Sequence, residues 1–332
     1  MRTFLILLPI FASLHGATTT TPSTGEIETI ETLMNFRLNK EHVWRDPITD
    51  QLLHRVNNKG ETVQAAYDAD ITLSPFNAPS IIANYLAEPN SPPQATKRSE
   101  ELIGLVSNQN WKALLELVKN YRVSKGEIAK DCFGNSLFEL CPTENKPAAN
   151  LRDITNISTL IDAIEPAIRA VSPLPARTTA AFTAAERTNY DAFTAFRTAH
   201  NVMCVDQRTG GQLYKIINDA LVKAVKDTDV LPDLSNLVTL MAAAVANKPA
   251  AITVGLVPST LSPVFSDANF NRLYQLVEDA RRAQGRLLID AIGKPLVLEN
   301  RVQVVDMQNI TDIPSLLKAV FEFFPETIRP TI

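Results

Sequence analysis

The pentapeptide Asn110-Trp111-Lys112-Ala113-Leu114 returns as Asn189-Tyr190-Asp191-Ala192-Phe193 and again as Asn269-Phe270-Asn271-Arg272-Leu273, at steps of 79 and 80 residues. A chain that repeats itself at a near-constant period folds as copies of one supersecondary unit. No copy buries its apolar face alone, so neighbours must stack. Behind each aromatic runs an apolar stripe: Leu114, Leu117 and Val118, then Phe193 and Phe196, then Leu273, Leu276 and Val277. Spacings of three, four and seven put such residues on one helix face. Trp111, Phe193, Phe196, Leu273 and Leu276 are the expected core positions. The Asn before each aromatic either caps its helix or closes the preceding turn.

A second motif follows the stripe. Asp131-Cys132-Phe133-Gly134-Asn135-Ser136-Leu137-Phe138 matches Asp290-Ala291-Ile292-Gly293-Lys294-Pro295-Leu296-Val297 without a gap, and Asp206 to Tyr214 with one insertion. Asp46 to Leu53 is a fourth copy, with Thr49 read in place of the glycine. Asp bonds the backbone two residues on, Gly permits positive φ, and Ser or Pro suits a helix start, so the motif predicts a turn that feeds a helix. A third feature closes each unit: Leu160 to Ile164 matches Leu316 to Val320, and Ile154 to Ile157 matches Ile310 to Ile313. Leu237 to Met241 and Ile81 to Tyr85 fill the same place more loosely. Breaks at Pro89 to Pro93, Pro173 to Pro175 and Pro258 to Pro263 divide residues 26–332 into four units, near 25–98, 99–176, 177–262 and 263–332. No stretch alternates with period two for long enough to predict a sheet, and Val302 to Val305 is the best strand candidate. The expected fold class is all-α, a helical repeat solenoid of paired antiparallel helices.

At these residues the chain resembles the ankyrin-repeat family in a degenerate form. Leu102 to Asn110 resembles a first helix with its Gly-Asn turn, Ala113 to Asn120 a second helix, and Asp131 to Phe138 the finger that leads onward. Ala181 to Asn189 resembles a first helix again. The resemblance implies a scaffold that binds another protein through exposed turns and inner helix faces. It points to Arg45, Asp46, Ile48, Lys130, Phe133, Gln207, Arg208, Ile292 and Lys294 as partner contacts. It implies no catalysis and no cofactor.

Composition narrows the rest. With 332 residues, 45% hydrophobic and 20% charged, the chain is long enough for several stacked units. Arg2 followed by the apolar run Phe4 to Leu14 reads as a signal peptide over residues 1–16, with a Thr-rich linker at 17–25. The expected location is therefore secreted or periplasmic. No later run is long enough to span a membrane, so no insertion is expected after cleavage. Cleavage removes one charge, Arg2, taking the net charge from −4 to −5. That balance, with no basic cluster, argues against nucleic-acid binding. Cys132 and Cys141 either bridge locally or stay reduced, and Cys204 is left over. His42, His54 and His200 do not combine with the cysteines at zinc-site spacing.

Enzyme motifs are missing. There is no Gly-x-Ser-x-Gly elbow, no phosphate-binding loop and no His-Glu-x-x-His. Ser315-Leu316-Leu317-Lys318 lies on an apolar stripe without a Lys-Thr-Gly partner, and Glu278-Asp279 reads as a solvated helix face. Asn156-Ile157-Ser158 and Asn309-Ile310-Thr311 are glycosylation sequons that equally suit helix caps. The sequence thus describes an exported protein-interaction scaffold, the alternative being a helical enzyme or small-ligand carrier with a pocket.

Overall fold

The computed structural model describes residues 31–32, 34–36, 38, 43–57, 59–66, 100–130, 134–140, 145–170, 183–199, 203–225, 260–290 and 293–331. The signal and linker readings, Cys132, Cys141, Phe133, Ile292, and the breaks at Pro89 to Pro93 and Pro173 to Pro175 lie outside these residues. In chain order come β1 (Leu53–Val56), β2 (Thr62–Gln64), α1 (Glu100–Ser107), α2 (Gln109–Ser124), β3 (Phe138–Leu140), β4 (Asn145–Pro147), α3 (Ile157–Arg169), α4 (Ala184–Ala199), β5 (Tyr214–Ile217), β6 (Ala220–Lys223), α5 (Ser262–Ser266), α6 (Ala268–Ala283) and α7 (Ile313–Phe321). The fold is mixed α/β, so the all-α solenoid is corrected. The Asp-x-x-Gly motif does not feed a helix. It makes the first turn of a three-segment antiparallel meander, in which Ser136 bridges Lys130 and Pro295 bridges Ile289. The strands are three or four residues long, too short for a period of two to stand out in the sequence.

The meander has one construction in all four copies. Trp44 N–H donates to Ala65 O, Ala65 N–H to Leu53 O, and Leu53 N–H to Trp44 O, which closes a triangle of backbone hydrogen bonds. Ala129, Leu137 and Ala148 form a second triangle, Cys204, Leu213 and Ala224 a third, and Leu288, Leu296 and Val304 a fourth, all bonds lying at 2.7–3.0 Å. Each triangle turns one side chain per segment inward. The first two triangles together make one small apolar core, and the last two make another. The motif leucines Leu53, Leu137, Leu213 and Leu296 are at most 3% exposed, which explains why the motif carries Leu at that place.

The turns before those leucines share their chemistry. Asp46 Oδ1 accepts from the N–H groups of Ile48 and Thr49, Asp206 Oδ1 from those of Arg208 and Thr209, and Asp290 Oδ1 from that of Lys294. The left-handed residue is Gly134, Gly210 or Gly293, and in the first copy Asp50, at φ 61°. The Asp46 turn therefore carries the same insertion as the Asp206 turn, and Asp50 rather than Thr49 stands where the glycine does.

Meanders pair edge to edge. β1 joins β3 in a four-stranded antiparallel sheet of order β2-β1-β3-β4. In the second half Tyr214 and Val297 exchange backbone hydrogen bonds of 2.9 and 2.8 Å and join the third and fourth meanders in the same way. The chain is thus a duplicated pair, with a step of about 160 residues from Leu53 to Leu213.

The two halves meet through helices. α3 packs on α6 and α7 packs on α2, a reciprocal arrangement about a local pseudo-twofold. Residues in equivalent places should touch on such an axis, and Trp111 and Phe270 stack there with ring centroids 4.1 Å apart. Their helices are capped by Asn108 and Asp267, two residues before the expected Asn110 and Asn269. The largest apolar core gathers α2, α3, α6 and α7 around this stack, with Leu117, Leu273 and Leu276 at 0–3% exposure. Of the other expected core residues Phe193 is buried and Phe196 half-buried.

Tyr190 is elsewhere. It lies level with Leu115 and Tyr274, one helical turn beyond Trp111 and Phe270, as counted from the triangles. The better repeat signal is an arginine seven residues before each triangle: Arg122, Arg197 and Arg281, each in the last turn of its helix, with Arg37 at the same spacing in the sequence. Arg122 clasps Asn150 O and the Asp153 carboxylate at 2.5–2.6 Å, and Arg281 Nη1 clasps Asp306 O and Asn309 Oδ1 at 2.9 and 2.7 Å. Each clasp fixes the exit from the meander to the closing helix. There the sequons Asn156 and Asn309 part company. Asn156 caps α3 reciprocally with Thr159, whereas α7 is capped by Asp312 with Ser315, and Asn309 holds Arg281.

Candidate interaction surface at the hairpin tips

The buried ionisable groups come first, because a reactive centre would draw on them. Lys119 on α2 lies 3.0 Å from Asp46 Oδ2 and donates to Glu139 Oε1, and all three are nearly fully buried. Burial opposes the charge on Lys119 and on Asp46. The opposite charges outweigh it, so Lys119 is held above its ordinary range and Asp46 below its own. An ammonium clasped by two carboxylates, sealed from water, joins the first meander to the second unit. In the second half Lys215 lies 3.8 Å from Asp290 Oδ2 and 5.0 Å from the centroid of the Tyr190 ring, and the Tyr190 hydroxyl reaches Asp290 at 3.4 Å. The equivalent of Lys119 is Glu278, which pairs with Arg208 at 3.7 Å in a half-exposed contact. The packing that positions these groups also pushes the buried Tyr274 phenol upward, with Glu278 and Asp206 adding to the shift. Among the described residues no group of three His, Cys, Asp or Glu is placed to hold a metal ion. No described helix is long and apolar enough to cross a membrane.

The residues expected to contact a partner divide in two. Asp46 is 2% exposed and committed to Lys119, and Ile48 packs on the main apolar core, so the first turn of unit one points into the molecule. The same turn in unit three brings Arg208 to Glu278, with Gln207 half-buried beside it. Arg45 is exposed and donates to Asp50 O, Lys130 is exposed, and Lys294 is half-buried.

The outward feature is the other hairpin of each meander. Among the described residues, four of the five exposed large apolar side chains sit there: Val56, Leu140, Val222 and Val302, each 38–47% exposed. The exception is Ile103 on α1. Turn chemistry shapes the tips. Asn57 Oδ1 accepts from Lys59 and Glu61 N–H, with Gly60 at φ 78°. Asn218 and Asp219 both take positive φ, as a two-residue hairpin turn demands. Arg301, at φ 65°, closes the fourth tip and donates to Asp219 O at 3.0 Å, tying the third and fourth tips together. These hairpins were not expected from the sequence, although Asn57…Gly60 and Asn218-Asp219 are turn residues of the kind that mark them.

Beside the tied tips lies an open depression of about 320 Å³, lined by Gly211, Gln212, Tyr214, Leu298, Glu299 and Asn300. No family model, curated protein or solved structure matches this chain.

Proposed function

We propose that this protein is an exported, non-catalytic binding protein that engages a protein partner through the second hairpin of each meander. The observation that carries the reading is the placement of exposed apolar side chains. Each copy exposes one large apolar side chain on this hairpin, although at two places: Val56 and Leu140 stand three residues after the motif leucine, Val222 and Val302 two residues before the last residue of the triangle. Exposed apolar groups at repeated tips suit protein contact, whereas isolated ones need no explanation. The apolar run at Phe4 to Leu14 supports export.

The test is site-specific photo-cross-linking of the mature chain from Val56, Leu140, Val222 and Val302, with exposed Glu116 on α2 as control. One partner captured from tip positions, absent from Glu116 and lost on Val→Asp or Leu→Asp substitution at the tips, is the expected result. Equal capture from Glu116, or none from any tip, ends the proposal.

A further inference from the structure

The two halves act as an internal control, since they share a core and differ at the seam between paired meanders. Aligned on Leu53 with Leu213 and on Leu137 with Leu296, the wall residues Gln212, Tyr214, Leu298 and Glu299 correspond to Leu52, His54, Glu139 and Leu140. In the first half the carboxylate of this wall, Glu139, is buried against Lys119, and the tip residue Leu140 is apolar. In the second half Leu298 takes the inner place and the carboxylate moves one residue onward, to exposed Glu299.

We propose that the depression in the second half is a recognition site for an arginine side chain on an extended, basic segment of the partner. The inference rests on the proposed function and assigns a chemistry to one of its tips. Among the described residues, no hydrogen bond or ion pair engages the Glu299 carboxylate or the Tyr214 hydroxyl. Gln212 turns its Nε2 inward onto Cys204 O, Leu213 O and Ala224 O, which leaves Oε1 as an acceptor. Asn300 Oδ1 accepts from Val302 N–H. The depression therefore combines an aromatic ring, a free carboxylate, an amide oxygen and the apolar Leu298. A guanidinium, planar and purely a donor, stacks on an aromatic face while pairing with a carboxylate. The nearby cations do not fill the place. Arg301 reaches to Asp219 O, and Lys223 stands on β6 opposite Tyr214, outside the residues that line the depression. A volume near the lower limit of about 300–1,000 Å³ for ligand pockets suits a side chain. The acidic net charge of −4 draws a basic segment in. Because the seam is pinned by the two Tyr214–Val297 hydrogen bonds, the site is preformed.

The test titrates the full mature chain with N-acetyl-arginine amide and, separately, with its neutral isostere N-acetyl-citrulline amide, following the Leu298 methyl resonances. Saturable shifts with the arginine probe, with citrulline weaker by about tenfold, are expected, and Glu299→Gln should weaken arginine binding by about tenfold. Tyr214→Leu, which keeps apolar volume for folding, should weaken it as well. Equal responses to the two probes, no shift with arginine, or binding unaltered in Glu299→Gln overturns the proposal. If cross-links from Val56 and Leu140 persist in that case, the arginine site falls and the proposed function stands.

Discussion

Lys119 shows how one residue sets the relation between two units. Removing it leaves Asp46 and Glu139 buried without their cation, and breaking a buried pair from one side costs about 3–5 kcal/mol. Lys119→Met should therefore lower the denaturant midpoint sharply, and adding Asp46→Asn and Glu139→Gln should restore part of the loss. The pH dependence follows from the same groups. Asp46, Asp153, Glu165 and Asp312 are all held below their ordinary range: Asp46 by Lys119 against burial, Asp153 by Arg122, Glu165 by Arg169 and Arg272, and Asp312 by Ser315. A carboxylate with a lowered folded value stabilises the fold fully above its unfolded value. That stability is lost as pH falls through the folded value. Thermal unfolding should thus be nearly constant above about pH 5 and fall steeply below about pH 4. The decline should be shallower in Asp46→Asn.

At the scale of the element, the triangle is the unit of stability. Leu137→Ala removes one of its inward side chains and should cost about 2–5 kcal/mol, measured by chemical denaturation. The turn before it offers an internal comparison. Gly210 and Asp50 occupy the same left-handed place, at φ 66° and 61°. Gly210→Asp should therefore be tolerated far better than Gly210→Val, because only short polar residues visit that region cheaply. The difference in melting temperature between those variants checks the equivalence of the two turns. The turn motif was legible in the sequence down to its aspartate, glycine and leucine. Its continuation into a strand was not, since Ser and Pro after the glycine suit a helix start and a β-bridge alike.

Over the whole molecule, the Trp111–Phe270 stack joins the two halves at their axis. Trp111→Ala opens a cavity there and should cost about 3–5 kcal/mol, and hydrogen exchange should rise in both α2 and α6. Protection lost from α2 alone would mean that the halves are stabilised independently. The sequence reading joined Trp111, Tyr190 and Phe270 as one repeat, yet Tyr190 sits a turn away and meets Lys215 and Asp290 instead. Amphipathic helices tolerate such a shift, because positions four apart lie on the same face. Arg122 and Arg281, seven residues before their triangles, show no such shift, since each clasps the exit of its own meander.

What the sequence determined by itself was the duplication, the amphipathic opening and closing helices, and the turns whose Asp and Gly chemistry is local. These depend on contacts within a few residues, and periodicity or spacing records them. What only the tertiary structure decided was that the turns lead into meanders, that meanders pair two by two, and which turns face solvent. Asp46 and Arg45 are neighbours with the charges expected of an exposed turn, yet one is buried and the other exposed. The partner that buries Asp46, Lys119, lies 73 residues further along the chain. A charge so distant leaves no mark on local pattern, and only folding brings it within reach.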